Sequence, residues 1–293
     1  MFVRAIELAA AFTRPLHVIV RYFGSTEVSP GAASLFFVNA DGWALTCRHV
    51  AEQLIAADQL AAQYKAFKAE RDALGTKHRR QAERELQRKY GFDQTKAVEI
   101  VNRFMNCVEG PLNLTIKLHA TFDAALLKFD RFIKLGPSAF PVFAKNGADL
   151  KQGKFLCRLG FPFPEFKNFS YDTATDSIGW THQGQDHTPQ FPIEGMVTRH
   201  LLAPGGDVAG FELSTPGLRG QSGGPAFDTE GRVWGMQART AHLDLDFDVD
   251  MEVVRAGRRK QAKESAILHV GHCVDVEVLK SFMKDHGVRF VEG

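Results

Sequence analysis

Three widely spaced stretches of this 293-residue chain hold the residue types that acyl transfer needs. "GLRGQSGGPAF" (217–227) surrounds Ser222 with four glycines, "LTCRHVAE" (45–52) holds His49, and "FDAALLKFD" (122–130) carries Asp123 near its start. A hydroxyl that attacks an amide carbonyl needs a base to take its proton and a third group to hold that base in one tautomer. Histidine suits the base, because an unperturbed pKa of about 6.5 lets it accept and return a proton near neutrality. The tetrahedral intermediate also needs donors aimed at its oxyanion, each worth roughly 2.7–4 kcal/mol. Backbone N–H groups supply them only where the chain folds tightly about the serine, which gives Gly220, Gly223 and Gly224 a physical use. The bland alternative is a Gly-Gly-Pro turn in which Ser222 has no special partner. Asp130, at the far end of its strand, is the nearby substitute for Asp123.

The elements that must position these residues are mostly strands. "LHVIVRYF" (16–23) is β-rich, and "GAASLFFVNADGWALTCRHV" (31–50) reads as a hairpin turning at Asp41-Gly42 and ending on His49. From Ala51 the chain becomes rich in Ala, Gln, Lys and Glu, with Leu60, Tyr64, Phe67 and Leu74 at helical spacing. A further helical stretch is expected over 93–108, so residues 51–109 read as a helical insertion. Alternation returns at "LNLTIKLH" (112–119), and strands follow at 122–130, 153–163, 193–202, 208–214, 224–228 and 231–239. Residues 162–192 read as a long loop, and "VEVLKSFMKDHG" (276–287) as a closing amphipathic helix. Many short strands with one helical insertion point to β-barrels or sandwiches rather than a doubly wound sheet.

The order His in T-x-x-H-V, Asp in D-x-A-L-L and Ser in G-x-S-G-G-P resembles the trypsin/chymotrypsin serine peptidases. The closer likeness is to the bacterial HtrA (Deg) branch. "SLFFVNADGWALTCRHV", "FLCRLGFPF", "RGQSGGPAFDTEGRVWGMQ" and "VDVEVLKSFMKDHG" resemble, respectively, its histidine hairpin, its Gly-x-Pro-Phe strand, its nucleophile hairpin and its closing helix. The likeness covers most of residues 14–287 apart from the helical insertion and the acidic segment 243–253. It implies a mainly β, chymotrypsin-like fold of two six-stranded antiparallel β-barrels. The first barrel would lie in 1–135 with the insertion, the second in 136–275, and a C-terminal helix and tail in 276–293.

The resemblance further implies a serine endopeptidase acting on polypeptides without a cofactor or metal, with His49, Asp123 and Ser222 as its catalytic triad. The backbone N–H groups of Gly220 and Ser222 would form the oxyanion hole. The primary specificity pocket would be lined by Pro216 to Arg219 and by Ala238, Arg239 and Thr240. Pro216 stands where a trypsin has aspartate, which favours a small or apolar residue before the scissile bond. Gln221 stands where the digestive enzymes carry an aspartate that pairs with a newly cut N-terminus, so activation is expected to need no such cut. No PDZ module follows before Gly293, so substrate delivery is expected to differ from that of typical HtrA proteins. A regulatory partner at the helical insertion is one expectation; a catalytically silent protease-fold scaffold is the alternative.

The remaining signals bound the answer. A net charge of +2 gives no global case for nucleic-acid or membrane binding, and no apolar run is long enough to span a bilayer. The N-terminus, interrupted by Glu7, makes a poor signal peptide, and four scattered cysteines without a C-x-x-C pair fit reduced thiols. A cytoplasmic location follows as the expectation. "LDLDFDVDMEV" (243–253) reads either as a solvated amphipathic strand or as an acidic wall beside the specificity pocket, with "RAGRRKQAK" (255–263) placed to neutralise it. The basic stretch 65–89 reads as a solvated helix face, with a nucleic-acid or acidic-partner surface as the sharper alternative. His269, His272 and Cys273 in "HVGHC" are too few and too close for a zinc site.

Overall fold

The computed structural model describes residues 1–75, 79–255 and 258–293. The chain opens with helix α1 (Val3–Phe12) and strands β1 (Thr13–Tyr22), β2 (Val28–Phe37) and β3 (Trp43–Thr46). Helices α2 (Arg48–Asp72) and α3 (Arg79–Tyr90) follow, then β4 (Ala97–Phe104), β5 (Val108–Glu109), β6 (Asn113–Leu118), β7 (Ala125–Asp130), β8 (Lys134–Leu135) and β9 (Val142–Phe143). The second half holds β10 (Phe155–Gly160), β11 (Phe169–Asp172), β12 (Ser177–Trp180), β13 (Phe191–Leu202), β14 (Val208–Leu213) and β15 (Pro225–Phe227). It closes with β16 (Arg232–Arg255), β17 (Arg258–Asp275), α4 (Val276–Asp285) and β18 (Val291–Glu292).

The protein is mainly β, with a curled sheet consistent with a trypsin-like fold. A six-stranded sheet runs β4-β1-β2-β3-β7-β6. In the second sheet six strands pair antiparallel in the order β15-β10-β13-β14-β17-β16, and β16 pairs back with β15; β9 and β18 extend it to eight, β9 pairing in parallel with both β16 and β18. These parallel pairs tie the linker after the first sheet and the chain end after α4 to one edge. One apolar core, including Leu16, Phe36, Phe129, Leu156, Phe211 and Phe227, runs through both sheets.

Two expectations need correction. The helical insertion ends at Tyr90, not near 109, and residues 97–104 form β4, paired antiparallel with β1 from Leu16↔Phe104 to Tyr22↔Ala97. Val98, Ile100 and Val101 are β-branched and fit a pleated edge, and Val98 buries against Tyr64, Phe67, Leu86 and Phe92. Tertiary packing thus overrides the helix-forming Ala, Glu and Lys around them. Helix α1 packs against β1, β10 and β15, with Phe2 edge-on to Phe227 at 6.4 Å between ring centroids and Phe12 against Phe36 at 6.3 Å. The stretch 162–192 is not wholly loop, since β11 and β12 form a short hairpin within it.

Strands β16 and β17 extend well beyond the sheet as a long hairpin. Its pairing slips between Asp244 and Asp248, where Asp246 takes a φ of 57°, so the strict alternation of the acidic segment is interrupted. Phe247, Val249 and Met251 are exposed along with the acids, and Arg259 pairs with Glu252 across the strands at 3.3 Å. Residues 76–78 of the basic stretch and 256–257 of the second basic run lie outside the described residues.

Candidate active site

The register of β3 and β7 decides where His49 and Asp123 meet. Thr46 pairs with Ala125, so the residues just after β3 and just before β7 emerge at the same end of the sheet. His49 Nδ1 lies 2.8 Å from Asp123 Oδ2 and 3.1 Å from Oδ1, and the His49 backbone N–H also donates to Oδ1 at 3.1 Å. The second contact has a local cause. Cys47, at the N-cap of α2, offers no side-chain acceptor, so Asp123 satisfies a free N–H of the first turn from across the sheet. Burial pushes the Asp123 carboxyl up, but the side-chain and backbone hydrogen bonds from His49 outweigh it and hold the group below its ordinary pKa. Asp130, the substitute carboxylate, sits at the other end of β7 and pairs with Lys128 at 2.8 Å.

The glycines of the serine loop are dictated by backbone contacts. Gly220 has φ 103°, and a Cβ there would come 2.6 Å from the Phe161 carbonyl oxygen. Gly223 has φ 87°, and its Cβ would come 2.1 Å from the Ser34 carbonyl oxygen. Both φ values and both contacts exclude a side chain. The loop is tied to the first sheet by the Ser34 N–H, which donates to the Ser222 carbonyl at 2.9 Å, and by the Ser34 hydroxyl, which donates to the Gly220 carbonyl at 2.8 Å. Thr46 Oγ1 donates to the Ser34 carbonyl at 2.8 Å. Gln221 is fully buried, its amide donating to the Phe191 carbonyl and its oxygen accepting from the Leu218 N–H, each at 3.0 Å.

One carbonyl brings the two halves together. The Gln237 oxygen accepts from the Gly223 N–H at 2.9 Å and from the Cys47 thiol at 3.2 Å. His49, two residues past Cys47, and Ser222, one before Gly223, therefore flank the same point of β16. The Ser222 hydroxyl donates to the Ala238 carbonyl at 3.1 Å, and no hydrogen bond joins it to His49 among the described residues. The N–H groups of Gly220 and Ser222 likewise donate to no protein acceptor there.

Cys47, His49 and Asp123 present three potential ligand atoms within 4.8 Å of one another. Burial, with the Asp123 charge adding to it, pushes the Cys47 thiol well above its ordinary pKa, and its proton is engaged with Gln237. Such a protonated thiol is a poor metal ligand. His269 pairs instead with His242, Nδ1 to Nδ1 at 2.6 Å, and His272 with Glu212 at 3.3 Å.

A cavity of about 460 Å³ opens against Ser222. Of the residues expected to line a specificity pocket, Gly217, Leu218, Arg219, Ala238, Arg239 and Thr240 border it, together with Gln237, His242 and His269. Pro216 is not on its wall. None of Asp244, Asp246, Asp248, Asp250 or Glu252 borders it either, so the acidic wall beside the pocket is not formed.

Sequence reasoning passed over Ser34 and Arg158. Both were legible as polar residues inside apolar strands, "SLFFV" and "FLCRLGF", where burial demands a partner. A family model, the trypsin-like peptidase domain, matches residues 33–236. No curated protein matches the chain.

Proposed function

The chain belongs to the trypsin-like peptidase family, and from that premise we propose that it is a serine endopeptidase working through an acyl-enzyme on Ser222. His49 takes the Ser222 proton, Asp123 fixes the imidazole with Nδ1–H inward, and the Gly220 and Ser222 N–H groups receive the oxyanion. Water then releases the acyl group by the same route in reverse. The observation that carries the reading is the 2.8 Å His49–Asp123 hydrogen bond, which engages Nδ1 and leaves the other ring nitrogen without a hydrogen bond among the described residues. The buried, internally bonded Gln221 supports a loop that needs no cut N-terminus to hold its shape. Four buried free thiols suit a cytoplasmic setting.

The test is labelling with a fluorophosphonate probe. Wild type should label and Ser222→Ala should not; folded wild type that fails to label overturns the proposal.

One observation favours the silent scaffold. The Ser222 hydroxyl donates to the Ala238 carbonyl, so its proton must leave that acceptor before His49 can receive it. The same labelling experiment separates the two readings. Regulation is part of the proposal, because His49 sits in the first turn of α2, which runs on into the α2–α3 hairpin. A partner that shifts the hairpin therefore acts on the helix holding the base.

A further inference from the structure

Arg158 lies in the middle of β10 between Cys157 and Leu159, and it is among the most completely buried side chains of the protein. Its guanidinium donates to Gln237 Oε1 at 2.6 Å, to the Thr215 carbonyl at 3.0 Å and to Thr215 Oγ1 at 2.5 Å. Its Nε is buried with no partner. All its acceptors are neutral, and no carboxylate forms an ion pair with it among the described residues. A guanidinium keeps its proton in a protein, so this is a buried, uncompensated positive charge. Burial pulls its pKa below the ordinary value, with the neighbouring Cys273 and Cys157 opposing the fall.

The position of this charge matters. Thr215 directly precedes the Pro216–Arg219 segment, and Gln237 is itself on the wall of the cavity at Ser222. Gly271 on β17 leaves room for the guanidinium, since a Cβ there would come 2.1 Å from an Arg158 terminal nitrogen. The arginine also fixes the Gln237 amide. A guanidinium only donates, so the Gln237 oxygen must face it and the NH2 must face away. That NH2 donates to the Arg239 carbonyl at 2.9 Å and lies against Gly217 on the cavity side. At the mouth stand Arg219 and Arg239, both exposed and neither in an ion pair among the described residues. The wall carries no aspartate or glutamate.

We propose that this pocket selects a carboxylate side chain, glutamate or aspartate, on the residue before the scissile bond. The inference rests on the assignment of Ser222 as nucleophile, which makes the adjoining cavity the primary specificity pocket. It replaces the small or apolar preference that Pro216 suggested. Three cationic groups with no counter-charge and an amide NH2 held toward the cavity describe a site completed by an anion. A basic side chain would meet like charge from Arg219 and Arg239. An apolar one would leave the charge of Arg158 uncompensated.

The experiment is a kcat/KM profile on internally quenched peptides that differ only before the cleaved bond, with Glu, Asp, Gln, Leu or Lys there. Glu or Asp should exceed the isosteric Gln by about 10- to 100-fold, the range for a hydrogen bond to a charged group. The advantage should shrink in Arg158→Met and, should that variant not fold, in the surface double variant Arg219→Ala/Arg239→Ala. Leu or Lys equal to or better than Glu overturns the inference while leaving the peptidase assignment intact. If fluorophosphonate labelling fails instead, binding of the same peptide series as C-terminal amides to the Ser222→Ala protein decides the pocket separately. Tighter binding of Glu than Gln upholds the selectivity, and equal binding removes it.

Discussion

The Ser34 hydroxyl donates to the Gly220 carbonyl at 2.8 Å, linking β2 of the first sheet to a loop 186 residues away in the second. The same hydroxyl accepts from the Phe161 N–H at 3.2 Å. One small side chain thus anchors the backbone of Gly220, the residue whose N–H is proposed to receive the oxyanion. Ser34→Ala should lower kcat by about 10- to 100-fold, part of the roughly 2.7–4 kcal/mol that one such donor supplies. KM for a peptide should stay near wild type, because Ser34 does not border the cavity. Burst kinetics with an activated ester read the acylation step directly. A variant that loses stability but keeps its acylation rate would make Ser34 a packing residue only.

How far the sequence carried the argument can be seen at particular residues. The serine loop was legible because its demands are backbone demands, and Gly220 and Gly223 are needed at their φ of 103° and 87°. The turn before β3 was legible for the same reason, with Gly42 at φ 85° following Asp41. Strand β4 was not, because its edge position comes from pairing with β1, and a sequence window does not contain its partner. The extra parallel pairs of β9 are equally non-local. Arg158 was visible in the sequence, but only its neighbours Gln237, Thr215 and Gly271 give its charge a purpose.

Asp123→Asn should reduce kcat by about 10⁴-fold, since an amide at this position no longer enforces the Nδ1–H tautomer of His49. It should also change the acid side of the stability curve. The Asp123 carboxyl is held below its ordinary pKa, so its stabilisation is fully present above the unfolded value of about 3.9. That stabilisation is lost as pH falls through the lower folded value. Thermal melts of the two proteins should therefore differ most at neutral pH and converge below pH ~4. A constant gap across that range would separate the loss of activity from the charge of Asp123.

Asp176 tests whether the α2–α3 hairpin reaches the site. Its carboxylate accepts from the Tyr64 hydroxyl at 2.7 Å and the Tyr171 hydroxyl at 2.9 Å, and pairs with the buried Arg21 at 3.1 Å. Burial raises this carboxyl, but those hydrogen bonds and the Arg21 charge outweigh it and hold it low. Asp176→Asn should loosen the hairpin, seen as faster amide exchange over residues 55–72 and 79–90. If α2 transmits that change to His49, hydrolysis of a small ester should shift by several-fold without any change in the cavity residues. Faster exchange with unchanged turnover would reduce the hairpin to a structural insertion.

Asp275 should make the protein less stable as pH rises. It caps α4 by accepting from the Glu277 N–H at 2.8 Å, but its other oxygen is buried without a partner. Burial is the largest cause raising its pKa to about 6, with the nearby Glu277 adding to it. The folded state therefore holds this proton more tightly than the unfolded chain, whose carboxyl titrates near 3.9. Stability should fall between pH ~4 and pH ~6 and level off above, by about 3 kcal/mol for a difference of two pKa units. Asp275→Asn keeps the capping oxygen and has no proton to lose. Its melting temperature should exceed wild type by several degrees at pH 7.5 and match it at pH 4. A variant less stable than wild type at both values would mean that the ionised carboxylate, through the Glu277 N–H and the nearby Lys280, stabilises the cap more than its burial costs.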